Sequence, residues 1–115
     1  MLLKSSSSMA YFVGLAASEK KAKDIRILNV GDISPIADYF IICSGNSTVQ
    51  VRAIADEIEE KMAEKGYELN HKEGYQTGRW ILLDYGSIIV HIFHNEDREF
   101  YGIERLWADA EKISL

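Results

Sequence analysis

The stretch YFIICSGNSTVQVRAIADEIEEKMAEKG, residues 39–66, decides the fold class of this chain. It opens with the apolar run Tyr39–Cys43, which is typical of a buried strand. After a short polar turn, Ser47 and Gln50 have the spacing of a capping box, in which two side chains satisfy free amides at a helix N-terminus. Apolar residues then recur at helical spacing and predict a buried stripe: Val51, Ile54, Ala55, Ile58 and Met62. A buried strand followed by an amphipathic helix indicates an α/β fold.

The residues before this stretch predict a helix and a strand. Met9–Ala17 is an apolar stretch with helical spacing, and Ser8 is placed to cap it. Residues 24–30, DIRILNV, alternate as a strand does. An alternative for Met9–Ala17 is a secretory signal with a cleavage region at Ala16-Ala17-Ser18, but the stretch is short and Gly14 interrupts it. We therefore prefer the helix.

The residues after this stretch predict a hairpin. WILLD, residues 80–84, and IIVHIF, residues 88–93, are apolar runs that a short connection with a central glycine separates, and this pattern is typical of two antiparallel strands. Tyr67–His71 is a weaker candidate for an edge strand, and Lys72 begins a loop that runs to Gly78.

The last predicted element is a helix from about Arg98 to Lys112. One face of it is apolar and consists of Phe100, Ile103, Leu106, Trp107 and Ala110. The order of the elements, with one crossover and one hairpin, predicts the fold class α/β: a single domain with a mixed sheet of about five strands flanked by helices. The predicted organisation is a flexible N-terminal segment, residues 1–8, followed by one domain, residues 9–115.

The composition of the chain excludes several classes of function. The chain has 115 residues, of which 47% are hydrophobic, so it can bury one core and is not a disordered chain. The single cysteine, Cys43, excludes an internal disulfide framework and a four-cysteine zinc site, and it favours a reducing, cytoplasmic location. The net charge of -5 argues against DNA as the main partner and favours a basic one. No run of about eighteen apolar residues predicts a membrane span.

The turn Ser44-Gly45-Asn46-Ser47 before a capped helix could hold a phosphate, as in nucleotidyltransferases. Such enzymes also need paired carboxylates for magnesium, whereas Asp84 stands alone at the end of its strand. His91 and His94 are three residues apart on a strand and point to opposite faces, so we expect no zinc site. Cys43 is expected to be buried packing. The sequence thus predicts no catalytic residue, metal or cofactor; a nucleotide-binding enzyme of the nucleotidyltransferase type is the alternative.

Large rings near the hairpin predict a surface that binds another protein. Trp80, Tyr85 and Tyr101 are rings that a small domain cannot hide completely. Alternation along the first hairpin strand places its residues 80, 82 and 84 on one face, whereas residues 81 and 83 pack inward. Exposed rings with a rim of carboxylates would form a binding hot spot for a basic protein. The rim consists of Glu73, Asp84, Asp97 and Glu104.

Four blocks of sequence carry a resemblance to a known family. They are AKDIRILNV, ADYFIICSGNSTVQVRAIADEI, EGYQTGRWILLDYGSIIVHIF and REFYGIERLWADA, in this order from Ala22 to Ala110. In content, order and spacing, the chain resembles the ribosomal silencing factor family, also called the Iojap-like family. The departures from the family's pattern are small. They fall at Ala37 and Gly102, and neither changes a charged or aromatic position.

The resemblance implies a translational repressor and not an enzyme. Members of this family bind the large ribosomal subunit through its protein fourteen, on the face that meets the small subunit. They thereby block subunit joining and reduce translation when nutrients are scarce. Organellar relatives are associated with large-subunit assembly, which is a second alternative. The family's fold is similar to that of nucleotidyltransferases, and a similar fold does not restore an activity.

The resemblance also implies a set of contact residues. Trp80, Leu82, Asp84 and Tyr85 match the family's WxLxDYG block and are expected to contact the partner. The same role is extended to four further residues, which are Glu73, Gly74, Arg98 and Tyr101. A homodimer that pairs two copies at a sheet edge is an open alternative.

Overall fold

The structure is a computed structural model that describes residues 5–106, 108 and 110–113. Four helices and six strands follow one another along these residues. In chain order they are α1 (Ser6–Glu19), β1 (Lys23–Asn29), β2 (Tyr39–Gly45), α2 (Thr48–Glu64), β3 (His71–Glu73), β4 (Trp80–Asp84), β5 (Ile88–His94), α3 (Asn95–Tyr101), α4 (Ile103–Leu106) and β6 (Glu111–Ile113). Within the described ranges, every helix is too short or too polar to cross a membrane.

The strands form one sheet in the order β3-β4-β5-β2-β1-β6. Strands β2 and β5 are parallel, and every other pair of neighbours is antiparallel. The predicted α/β domain with a mixed sheet flanked by helices is therefore confirmed, as is the antiparallel hairpin of β4 and β5. The sheet has one strand more than predicted, because the C-terminal residues add β6 beside β1.

The two faces of the sheet are covered differently. One face, here called the helix face, packs against α1 and α2 and contains Ile41, Ile81 and Leu83. The other face, here called the half-open face, carries a smaller apolar cluster around Phe40 and Phe93, beside which Trp80, Leu82 and Ile103 are only partly buried. Helices α1 and α2 thus pack on one face of the sheet, and the partly buried Trp80 and Leu82 of the other face position the candidate site.

Helix α2 agrees closely with its sequence pattern. All members of the predicted stripe, from Val51 to Met62, are buried. The Ser47 hydroxyl accepts a hydrogen bond from the Gln50 amide at 3.0 Å, as a capping box requires. The Gln50 side chain, however, accepts from the amide of Asn46 at 2.6 Å, one residue before the cap. Two amides around the turn, those of Asn46 and Gln50, are therefore bonded to side chains.

The boundaries of α1 and β3 differ from the predicted ones. Helix α1 begins at Ser6, and its cap is Ser5, which accepts a hydrogen bond from the amide of Ser8. Ser8 is therefore inside the helix, and the predicted start at Met9 with Ser8 as cap is wrong. The predicted edge strand at Tyr67–His71 is also wrong, because strand β3 begins only at His71, one residue after the Asn70 amide donates to the backbone oxygen of Asp84. Strand β3 has three residues, all exposed.

The predicted helix from Arg98 to Lys112 is wrong in its second half. Helix α3 ends at Gly102, whose φ of 58° is left-handed and cannot continue a right-handed helix. After the single turn of α4, the chain extends and pairs β6 with the outer edge of β1, Ile113 opposite Ile27. The edge of β1 thereby gains backbone hydrogen bonds that a helix would not supply. Trp107, predicted on the apolar face of that helix, lies outside the described residues.

Candidate protein-binding surface

Strand β4 alternates between the two faces of the sheet as predicted. Ile81 and Leu83 are completely buried on the helix face. Trp80, Leu82 and Asp84 lie on the half-open face and are each half-buried. The register places Trp80 opposite Phe93 and Leu82 opposite His91 of β5, and the side chains of these two strands meet on this face.

Trp80 is the centre of a continuous row of rings. Its indole stacks on Phe93 with ring centroids 4.8 Å apart, and the ring of Tyr101 in α3 lies 4.9 Å from Trp80 and 6.3 Å from Phe93. The row continues through His91, 5.9 Å from Trp80, to Phe40, 5.1 Å from His91. We call these five rings the aromatic row. Its outer end is open, since Tyr101 is 52% exposed.

A hydrogen bond within the aromatic row joins Trp80 to His91. The indole Nε1 of Trp80 donates to Nδ1 of His91 at 3.1 Å. An indole nitrogen can only donate, so Nδ1 accepts and the proton of the neutral imidazole is on Nε2. Burial lowers the pKa of His91 to about 4, which keeps the ring neutral at pH 7. This partner of His91 is not among the sequence-based predictions. The signal that identifies it is the hairpin register, which puts Trp80 and His91 on one diagonal.

Glu73 and Gly74 lie beside the aromatic row, of which Tyr101 is itself a part. Glu73 pairs with Leu82 across β3 and β4, and its exposed carboxylate is 3.2 Å from Nε2 of His71. Gly74 has a φ of +79°, and a Cβ there would lie 2.0 Å from the backbone oxygen of Trp80. Gly74 therefore lets the turn approach the backbone of β4, which is a supporting position rather than a side-chain contact.

Two predicted contact residues are not available on the surface. Tyr85 is only 6% exposed and packs in the core of the helix face, where burial and the nearby Glu59 raise the pKa of its hydroxyl. Its expected exposure is wrong because residue 85 continues the alternation of β4 to the helix face. Arg98 is 9% exposed, and its guanidinium donates to Ser44 and Glu104. Arg98 thus ties α3 and α4 to β2.

The predicted rim of carboxylates is half neutralised. Asp97 accepts two hydrogen bonds from Arg79, at 2.6 and 2.9 Å. Glu104 accepts from Arg98, and this hydrogen bond lowers the pKa of its carboxyl. Glu73 and Asp84 have no arginine partner among the ion pairs of the described residues. These two carboxylates carry the negative charge next to Leu82.

Several polar groups of the suspected phosphate turn are bonded within the chain. Ser44 is buried and its hydroxyl accepts from Arg98 at 2.8 Å, while Asn46 and Ser47 bond Gln50 as described above. Burial raises the pKa of the neighbouring Cys43 to about 12, so its thiol stays protonated and unreactive at neutral pH. In the described ranges, no cluster of three or more His, Cys, Asp or Glu side chains is arranged to hold a metal.

The fold and this surface define a class: a small α/β domain whose mixed sheet packs against its two long helices on one face and presents aromatic side chains on the other. A family model described as "ribosomal silencing factor during starvation" matches residues 4–115. The chain belongs to the ribosomal silencing factor family, which confirms the resemblance seen in the sequence.

Individual relatives agree with this assignment. The ribosomal silencing factor of Halalkalibacterium halodurans is 46% identical over 100 residues, which are 87% of this chain and 86% of that one. The one of Bacillus subtilis is 43% identical over 108 residues, 94% and 92% of the two chains. The mouse protein named mitochondrial assembly of ribosomal large subunit protein 1 is 29% identical over 93 residues, 78% of this chain and 41% of that one. A crystal structure of a Chromobacterium violaceum protein superimposes with a TM-score of 0.87 at 30% identity, covering 95% of this chain and 90% of that one.

Proposed function

We propose that this chain represses translation by binding the large ribosomal subunit through protein fourteen of that subunit. The bound chain blocks joining with the small subunit, notably under nutrient limitation, and acts in the cytoplasm, where subunits join. Family membership supports the ribosomal partner, and the mouse relative has the large subunit in its name. The observation that carries the docking site is the half-open face, where half-buried Trp80 and Leu82 lie beside the exposed Tyr101.

The aromatic row is suited to holding a protein partner. Trp and Tyr are the side chains that most often carry binding energy at interfaces, where they are surrounded by contacts that exclude water. Trp80 is already stacked on Phe93 and bonded to His91, so binding immobilises it at little further cost in entropy. Leu82 extends this surface toward β3, where Glu73 faces it across the strand pair.

Charge favours a basic partner at this face. The chain has a net charge of -5, and Glu73 and Asp84 lie next to Leu82 without an arginine partner among the described ion pairs. A basic ribosomal protein is attracted to these carboxylates, whereas the surrounding ribosomal RNA repels the chain. Docking is therefore expected to be local, on the protein and not on the RNA.

Binding alone is sufficient for the proposed repression. The described part of the chain measures 39 × 32 × 24 Å, so even its shortest dimension separates two surfaces that must touch when subunits join. No bond is made or broken in this scheme.

The rival function, an enzyme of nucleotidyl transfer, requires magnesium-dependent nucleotide binding that Asp84→Asn removes. Calorimetry of the chain with nucleoside triphosphates and magnesium is expected to show no binding heat.

The direct test measures binding to purified large subunits after truncation of the half-open face. Trp80→Ala and Leu82→Ala are expected to weaken cosedimentation, with Kd raised roughly 30-fold or more for the tryptophan. Tyr11→Ala and Leu15→Ala are the controls, because these large side chains are exposed on α1, on the other side of the sheet. The controls should bind as the wild type does, and circular dichroism should show an intact fold for all four variants.

The identity of the partner needs its own measurement. Isolated protein fourteen of the large subunit should bind the wild type and lose binding to Trp80→Ala. Light scattering should show that the wild type slows subunit joining. Wild-type binding by both truncated variants would remove the half-open face from consideration. Failure of the wild type to bind large subunits would refute the function itself. Self-association of two copies through the same face would appear in sedimentation equilibrium.

A role in large-subunit assembly is the second candidate, and the name of the mouse relative favours it. The two functions differ in what accumulates when the protein is removed from cells. Loss of an assembly factor leaves immature large subunits on a sucrose gradient. Loss of a joining repressor leaves mature subunits, and during starvation it raises the proportion of joined ribosomes.

A further inference from the structure

We propose that His91 is a positioning residue for the docking surface and that it holds the indole of Trp80 in the orientation that binds the partner. The inference rests on the proposed function in one respect, namely that Trp80 contacts the partner. It adds a role for a buried residue that does not itself reach the surface, since His91 is 4% exposed.

Stacking alone does not fix the orientation of the indole. The rings of Trp80 and Phe93 lie 4.8 Å apart at an interplanar angle of 28°, and such a contact tolerates sliding and rotation in the plane. A hydrogen bond is directional, and the 3.1 Å bond from Nε1 to Nδ1 of His91 selects one rotation of the ring. Tyr101, 4.9 Å away, then packs against the ring in that orientation.

The burial of His91 lowers the stability of the fold in a way that the burial of an apolar residue would not. Its Nε2 has no hydrogen-bond partner among the described residues, although it carries the proton of the neutral ring. A buried donor without a partner lowers stability, whereas an apolar side chain of similar size would pack among Phe40, Leu82 and Phe93 without that loss. A residue present only for packing would not be a histidine here. The hydrogen bond that Nδ1 accepts from Trp80 accounts for the choice.

Two substitutions separate positioning from packing. His91→Leu keeps the volume, removes the unpaired donor and removes the acceptor for Trp80, whose half-buried indole can turn to water. His91→Asn loses volume but keeps a carbonyl oxygen in the place of Nδ1. Positioning predicts a crossed result. His91→Leu should unfold at the same or a higher urea concentration than the wild type but bind large subunits roughly three- to tenfold more weakly. His91→Asn should be less stable and bind almost as the wild type does.

Nuclear magnetic resonance tests the geometry without the ribosome. In the wild type, the imidazole nitrogens should report the Nε2–H tautomer, and the indole proton of Trp80 should exchange slowly with solvent. His91→Leu should make that exchange faster, and His91→Asn should restore it. Trp80→Phe assigns the indole signal.

The outcomes are distinguishable. Binding that follows stability in both variants, or wild-type binding by His91→Leu, would overturn the assignment of His91 while leaving the docking site intact. An Nδ1–H tautomer would overturn it as well. Absence of binding by the wild type would refute the proposed function and the role of His91 in it, whatever the tautomer.

Discussion

Trp80 is the residue on which the interactions of the half-open face converge. Its ring contacts Phe93 and Tyr101, its indole nitrogen bonds His91, and its backbone oxygen is approached by Gly74. The sequence predicts the facing of Trp80, because alternation along a strand needs only local information. It does not predict the burial of Arg98, whose partner Ser44 is 54 residues away in the chain.

At the residue scale, His91 makes stability depend on pH. Its folded pKa is about 4 against 6.5 for an unperturbed histidine, so the unfolded chain binds a proton first as the pH falls. The stabilisation from this residue is therefore complete above pH 6.5 and is lost toward pH 4, by about 3 kcal/mol. Urea unfolding at a series of pH values measures it. Carboxyl groups also titrate in this pH range, so the comparison is with His91→Leu. For that variant, the loss of unfolding free energy between pH 6.5 and pH 4 should be smaller by about 3 kcal/mol.

The turn between β3 and β4 contains a close backbone contact that its residue types alone do not reveal. Gly74 has a left-handed φ, and the space where a Cβ would lie is occupied by the backbone of Trp80. The sequence predicts a loop here but not that its backbone touches β4, because such contact depends on the register of a three-residue strand. The error at the C-terminus has a similar origin. The helical periodicity after Arg98 is real, but the left-handed Gly102 and the unpaired edge of β1 override it.

At the scale of this element, Gly74→Ala is expected to lower the free energy of unfolding by about 3 kcal/mol, because backbone strain adds to a clash with a backbone atom. Gly86→Ala is the matched control. It has a similar φ of +89°, but its Cβ would meet only the Asn70 side chain at 3.2 Å, which can move. That variant should lose about 1 kcal/mol. Urea unfolding compares the two, and equal losses would contradict the close approach of Gly74 to β4.

The whole molecule is an acidic domain with one covered and one half-open face. The family, the fold class and the strand of the candidate surface could all be predicted from the sequence, since each depends on contiguous blocks. The sixth strand and the aromatic row could not, because they depend on contacts between segments far apart in the chain. The burial of Tyr85, in contrast, follows from the same alternation that buries Ile81 and Leu83.

At this scale, salt is expected to act mainly on the encounter with the partner. Raising the salt from about 50 mM to about 300 mM should slow association with large subunits roughly tenfold and change dissociation by less than about twofold. Surface plasmon resonance on immobilised large subunits separates the two rates. The double variant Glu73→Gln, Asp84→Asn should show a weaker dependence of association on salt. A salt effect confined to dissociation would refute steering by these carboxylates.

The covering of only one face has a further consequence for a docked molecule. With the aromatic row turned toward its partner, the chain presents α2 outward, and this helix carries five carboxylates against two basic side chains. An arriving small subunit would then meet a negatively charged surface, which would repel the phosphates of that subunit. One face of the sheet would thus bind the partner, and the opposite face would repel the small subunit. Steric and electrostatic exclusion of the small subunit would then act in the same direction.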